Sequence, residues 1–446
     1  MDQVFKVDPV TQLRRFAYLV TPNESSFETL EEVPDYIVES LPYFTISVIL
    51  EAVIIGIRDK KWLRVNDTVS SISAGLLMTA VKTLFKSLEI LAYIWVYENY
   101  RIFELPWNSA WTWVICMLTF DFAYYWFHRA AHEVNVLWAA HQVHHSSEEY
   151  NLSTALRQSV VQHYTSWIFY VPMALAIPTP VMLVHAQFNL LYQFWIHTEL
   201  VSSLGPLEYI LNTPSHHRVH HGRNPYCIDK NYAGTLIIWD RMFGTFQAEG
   251  EKVVYGLTHP LNSWNPVWIQ VCHFTHILKT VWTTPGFGNK LSVIFKGPGW
   301  MPGTPRLGNP EDIPKVSAPV EVYNPAMSVW LQLYVAFHYF VNQAVFTLYL
   351  DNHQYMGYVI GLACCLYVVY TLTCIGSICD NKWYAPFIEI ARCILVVGFD
   401  MIYLSNKSVP ELSFLPSSLR NGIHAGSVVF WLLFLTLSKT EKIKDS

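Results

Sequence analysis

Residues 128–145 read HRAAHEVNVLWAAHQVHH, and residues 217–221 read HRVHH. They set His128 and His132 four apart, then His141, His144 and His145, then His217, His220 and His221. On a helix, positions i and i+4 share a face, and i+3 lies close by. Each cluster is therefore expected to be helical and to aim two or three imidazoles at one point. Eight convergent nitrogens exceed the four ligands that one tetrahedral zinc accepts. The pattern suits two metal ions.

The surroundings of the clusters are apolar. Of 446 residues, 52% are hydrophobic and only 14% charged, which predicts an integral membrane protein. The 17 tryptophans fit interface belts. A net charge of −5 offers nothing to nucleic acid. The eight cysteines form no C-x-x-C pair and read as small buried hydrophobes. Asp2, Lys6, Asp8, Arg14 and Arg15 interrupt the first 20 residues, so no signal peptide is expected there.

Stretches long enough to span occur at 41–57, 69–98, 111–127, 160–178, 181–199, 328–350, 357–379, 384–404 and 423–438. The predicted fold is an all-α, polytopic membrane protein with about nine transmembrane helices. Arg58, Lys60, Lys61 and Arg64 place the loop after the first span in the cytosol. Counting onward brings all three histidine clusters to the cytosolic face. His197, at the inner end of the fifth span, reaches the same side and is expected as a ninth ligand. The sequon at Asn23 falls in the lumen, so glycosylation is expected there, whereas modification at Asn151, a sequon placed in the cytosol, would overturn the topology.

Four segments follow: 1–40 as an N-terminal segment, 41–284 as a membrane-embedded catalytic domain, 285–325 as a Gly/Pro-rich connector and 326–446 as C-terminal transmembrane helices. Lys442 and Lys444, fifth and third from the end, match a dilysine retrieval signal of the endoplasmic reticulum membrane, or else a solvated tail.

Imidazole suits zinc, copper, iron and nickel. A pair of irons fits best, because a lipid at a membrane surface offers unactivated C–H bonds whose cleavage needs an oxidant made from O2. Neutral imidazoles leave metal charge uncompensated, so carboxylates should stand behind them. The candidates are Asp121, Glu133, Glu148, Glu149, Glu199, Asp229 and Asp240. Asp121 lies two helical turns before His128 and is expected on the same face, with a catalytic role. His216 abuts the third cluster and could point either way, whereas His185, in the outer half of its span, reads as structural.

The histidine series, with Tyr125-Trp126-Phe127-His128-Arg129, residues 214–222 and Asn231-Tyr232-Ala233-Gly234, resembles the fatty acid hydroxylase/sterol desaturase superfamily over about residues 111–250. That resemblance implies a non-haem diiron centre that uses O2, held by the eight clustered histidines. Residues 30–36, residues 151–159 and the extra C-terminal spans resemble a branch of that family acting on ether lipids with tetrahydrobiopterin as electron donor. The implied reaction hydroxylates the alkyl carbon beside the ether oxygen. Glu133 is the candidate for the pterin's amino-imine edge, its bland alternative being an ion pair with Arg129 at i−4. Competing readings are a cytochrome b5-dependent sterol or fatty-acyl hydroxylase or desaturase, a zinc lipid amidase and a metal transporter.

Overall fold

The computed structural model describes residues 7–60, 64–84, 88–353, 355–404 and 416–444. Among them the chain is helical. Its non-helical pairing amounts to two isolated antiparallel bridges, Leu211 with Leu236 and Gly222 with Tyr255. The helices are α1 (Pro9–Phe16), α2 (Tyr36–Asp59), α3 (Val65–Leu84), α4 (Leu88–Tyr100), α5 (Ala110–Glu133), α6 (Asn135–His145), α7 (Leu152–Ala155), α8 (His163–Tyr170) and α9 (Thr179–Ile196). They continue as α10 (Pro214–His220), α11 (Ile238–Phe243), α12 (Pro266–Thr283), α13 (Phe287–Phe295), α14 (Val329–Asn352), α15 (Tyr358–Cys379), α16 (Ala385–Phe399) and α17 (Ser417–Lys444).

Local chemistry sets the boundaries. The Asp35 carboxylate accepts from the Val38 amide and starts α2, and the Ser328 side chain accepts from the Leu331 amide and starts α14. Val134 is extended (φ −129°, ψ 115°), and this one residue turns the chain from α5 into α6. The stretch expected to span at 160–178 is shorter than its hydropathy implies. It forms α8 and a 3-10 turn that ends at Leu175. Pro172 at the start of that turn removes an amide that continued α-helix would use. The stretch 69–98 is likewise two helices, α3 and α4, with residues 85–87 outside the described residues. By length and composition alone, α2 and α15 are long and apolar enough to cross a membrane.

The chain forms two compact units. The first comprises Met1–Gly75, Ser87–Leu261 and Gln270–Val322. In it α5 packs on α6, α8 and α9, and α2 on α1 and α9. Phe16, Tyr36, Phe44, Phe188 and Phe194 fill the core between α1, α2 and α9. The Gly/Pro-rich stretch falls within this unit up to Val322 and carries α13. The second unit comprises Leu76–Lys86, Asn262–Ile269 and Tyr323–Ser446. Here α14 to α17 pack in sequence, neighbour on neighbour. Asp380 ties down the incoming segment, accepting from the Ser263 hydroxyl and the Trp264 amide, each at 2.7 Å. The side chains of Lys442 and Lys444 lie outside the described residues.

Candidate metal centre

Nine buried imidazoles converge in two sets. His128, His132, His141, His145 and His220 form one, and His144, His197, His217 and His221 the other. Within each set the ligand atoms lie within 4.8 Å of one another. His128 and His132 share one set, as expected, but neither H-x2-H-H cluster aims at a single point. Positions i and i+4 differ by roughly 40° around a helix, but i+3 and i+4 by roughly 100°. So α6 gives His141 and His145 to the first set and His144 to the second. The α10 segment does the reverse, giving His217 and His221 to the second set and His220 to the first. Each H-x2-H-H is a bridge between two sites.

Hydrogen bonds fix the tautomers. The Nδ1 atoms of His128, His144, His197 and His220 lie 2.7, 3.1, 2.6 and 2.9 Å from the carbonyl oxygens of Tyr232, Arg157, Gln193 and Lys230. His141 Nδ1 lies 2.9 Å from the Gln162 amide oxygen. These oxygens only accept, so each Nδ1 carries the hydrogen and each Nε2 its lone pair. Yet the Nε2 atoms of His128 and His141 stand 2.9 Å apart, and those of His144 and His197 3.1 Å apart. No hydrogen is available between them. Protonation does not supply one at neutral pH. Burial pushes His141 down to about 4 and His220 to about 3. It also holds His144, His145, His217 and His221 well below the usual imidazole range, helped by the neighbouring rings.

Lone pairs face to face at this separation repel unless a cation lies between them. Two nitrogens about 2.1 Å from one cation and at right angles to each other stand roughly 3.0 Å apart. His132 Nε2 and His220 Nε2 are buried without a protein partner, as a ligand atom awaiting a metal would be. The residues present fit a pair of metal ions held by imidazole alone.

The supports behind the rings are mostly backbone. Arg157 is buried, and its guanidinium donates to Asp67 Oδ1 (2.7 Å), Ser71 (3.1 Å) and Ser146 (3.1 Å), which anchors the carbonyl that orients His144. His197 follows the last turn of α9 and takes up the free Gln193 carbonyl there. Tyr150 stacks on the His197 ring at 5.5 Å. Trp138 packs against the rings of His132 and His145.

The carboxylates divide. Asp229 stands 3.9 Å from His132 Nδ1, and burial, with Glu133 nearby, pushes its carboxyl up to about 6. Asp121 joins neither set. Its oxygens accept from the Thr235 amide (2.7 Å), the Leu236 amide (2.9 Å), Trp239 Nε1 (2.9 Å) and Asn189 (3.2 Å). A Cβ on Gly234 would come within 2.9 Å of Asp121 Oδ1, so only glycine lets that loop close on the carboxylate. Asp121 thereby fixes the loop whose Tyr232 carbonyl orients His128. Asp240 holds the same loop through the Tyr232 and Ala233 amides, each at 2.8 Å. Glu133 pairs with Arg129 at 2.8 Å and touches no imidazole. Glu148 and Glu149 lie against Arg64, and Glu199 takes the Tyr255 hydroxyl.

His216 turns away from both sets, toward Thr213 and the Phe246 ring. His185 bonds the Tyr18 hydroxyl at 2.9 Å, outside both sets. Sequence reasoning passed over Arg157, Gln162, Trp138 and Tyr150. The carbonyls of Tyr232, Lys230 and Gln193 left no residue-type signal to find.

The fatty acid hydroxylase family model matches residues 113–245, the stretch that holds all nine histidines. The alkylglycerol monooxygenase C-terminal domain matches residues 331–416. Alkylglycerol monooxygenase of Xenopus tropicalis is 52% identical over 400 residues, covering 90% of each chain. The Homo sapiens protein of that name is 51% identical over 419 residues, covering 94% of this chain and 93% of its own. That of Danio rerio is 48% identical over 427 residues, covering 96% and 95%. No solved structure matches.

Proposed function

The chain belongs to the alkylglycerol monooxygenase family, and on that premise we propose that it is an iron-dependent oxidoreductase that hydroxylates the ether-linked alkyl carbon of alkylglycerols, with O2 as oxidant and tetrahydrobiopterin as electron donor. The observation that carries this reading is the double set of imidazoles whose lone pairs face inward. Nine neutral nitrogens without a carboxylate among them favour a redox metal over a single hydrolytic zinc.

His128, His132, His141, His145 and His220 would hold one iron, and His144, His197, His217 and His221 the other. Bound there, the two irons supply the activation of O2 that an alkyl C–H bond demands. The carbon beside the ether oxygen carries the weakest C–H bond, because the oxygen lone pairs stabilise a neighbouring radical. Hydroxylation there yields a hemiacetal, which collapses to a fatty aldehyde and a free glycerol derivative. The carbonyls of Tyr232, Lys230, Arg157 and Gln193 aim the rings of His128, His220, His144 and His197, while burial keeps the imidazoles neutral. Asp229 stands ready to take the His132 Nδ1 hydrogen as the ring gains positive character. Glu133, beside Arg129 and at the end of α5, is the residue we assign to the pterin's amino-imine edge. Asp121 acts in this scheme through the loop it grips.

The chain would lie in the endoplasmic reticulum membrane with about nine spans and the histidines on the cytosolic side. Two observations support that orientation. Trp113, near the start of α5, donates to Ser25 of the N-terminal segment, while His128 and His132 sit near the other end of the same helix. Asn23 is exposed, whereas Asn151 is buried, with its side chain accepting from the Ser153 amide. Alkyl burial in the bilayer-facing part, worth about 0.8 kcal/mol per CH2, would supply much of the substrate affinity.

Elemental analysis of the purified protein, joined to oxygen uptake on an alkylglycerol with tetrahydrobiopterin, tests the proposal. Two irons per chain and aldehyde released in step with O2 consumption are expected. A fully active sample holding only zinc, or aldehyde formed without O2, overturns it.

A further inference from the structure

From Val253 to Pro310 the sequence holds no aspartate or glutamate, yet it carries Lys279, Lys290, Lys296 and Arg306. In a chain of net charge −5 this is a local excess of one sign. The same stretch bares large apolar side chains. Leu278 and Trp282 lie four apart on α12, and Phe287, Leu291 and Phe295 lie four apart on α13. Trp282 is 85% exposed and Phe287 77%.

These side chains are not exposed for want of a core. The opposite faces of both helices are already used, with Ile277 of α12 and Val293 of α13 packed against Ala139 of α6 and against Trp300. The hairpin is also rigid. Gly286, at φ 82°, makes a turn that a side chain would strain. The Lys290 ammonium donates to the Val281 carbonyl at 2.7 Å, closing the end of α12. Asn135, the first residue of α6, donates its backbone amide to the Lys296 carbonyl and its side-chain amide to the Val293 carbonyl, each at 2.8 Å.

We infer that the α12–α13 hairpin is seated in the headgroup layer of an anionic lipid surface, with Trp282, Phe287 and Leu291 at the acyl boundary. Aromatic and leucine side chains beside lysines are the composition of helices that lie in a bilayer interface. Charge selects lipid over a second copy of this chain, because a two-fold contact would set lysine against lysine with no carboxylate to relieve it. The hairpin is clamped to α6, which carries His141, His144 and His145, so the lipid surface would lie one helix away from the histidines. This goes beyond the proposed reaction and does not depend on which metal the histidines bind.

The test is site-specific photocrosslinking of the full chain in vesicles. Benzoylphenylalanine replaces Phe287 or Leu291, with exposed Asp312 as the control position. Adducts to acyl chains are expected at 287 and 291 and none at 312. The yield should rise about fivefold between phosphatidylcholine vesicles and vesicles that also contain phosphatidylserine, and Lys279→Gln should reduce that rise. Adducts to a second copy of the chain, or the absence of lipid adducts at 287 and 291, overturn the inference, and equal yields in both vesicles overturn the preference for anionic headgroups.

Discussion

Arg392 of the second unit and the nine clustered histidines of the first are buried alike, yet their polar atoms end differently. Arg392 donates through Nε to Glu389 at 2.8 Å, and its other nitrogens reach Thr371 at 3.3 Å and His338 Nδ1 at 3.0 Å. His338 then donates through Nε2 to Ser427, which donates to the Ile423 carbonyl, each at 2.9 Å. Every step in that chain pairs a hydrogen with a lone pair inside the protein. In the histidine sets the hydrogens of His128, His141, His144 and His197 go to Nδ1, and their Nε2 lone pairs face one another, while the Nε2 atoms of His132 and His220 meet no protein partner. A closed network of this kind is scaffold, because nothing further is needed to satisfy it. An open one demands a cation. Burial and unusual ionisation alone do not separate the two cases; the direction of the hydrogen bonds does.

The largest effect expected from this contrast is at His145. Its Nε2 stands 3.1 Å from that of His141. His145→Ala should reduce turnover to background and release metal, while the protein still reaches the membrane. Iron content and aldehyde production per chain measure this, and near-normal turnover would remove His145 from the ligand set. Asp67→Asn should act next most strongly and on one site only. It leaves the Arg157 guanidinium without its charge partner and loosens the carbonyl that orients His144. A loss of roughly ten- to hundred-fold in affinity for one of two metal equivalents is expected, since partners behind the ligands carry effects of that size. Titration of apo protein with ferrous iron would show one weakened step; two equally weakened steps would mean a general loss of structure. Glu389→Gln sharpens the comparison from the other side. Breaking a buried pair costs about 3–5 kcal/mol, so the thermal midpoint in detergent should fall clearly. Iron per folded chain should not change, and parallel loss of iron would mean that the Arg392 network belongs to the metal site.

How much of this was legible in the sequence follows from the same physics. Helical spacing located the eight clustered histidines, because it is a regularity a single strand of sequence carries, and His197, expected as a ninth ligand, does join the second set. The split of each H-x2-H-H between two sites was not legible. It depends on how α6 and α10 are rotated against each other, which no one helix encodes. Asp121 shows the limit of reasoning by face. It does lie two turns from His128, but backbone amides of the loop at 235–236, more than a hundred residues later, reach it first. The stretch at 160–178 shows the limit of hydropathy, since Pro172 shortens the helix without making the segment less apolar.

The smallest effect is expected at His185, and it bears on whether position decides a histidine's role. His185 lies on α9 twelve residues before His197, roughly 18 Å along the helix. Its ring sits edge-on to Trp113 at 4.5 Å and bonds the Tyr18 hydroxyl, so its partners come from the N-terminal segment and the start of α5. His185→Ala leaves the Tyr18 hydroxyl without that bond, a cost of about 1–3 kcal/mol in stability. It removes nothing from either imidazole set. Turnover within about twofold of the parent chain, with two metal equivalents retained, is the expected outcome. A collapse of metal binding at this distance would show that the far end of α9 sets the position of His197, and that His185 is not a purely structural histidine.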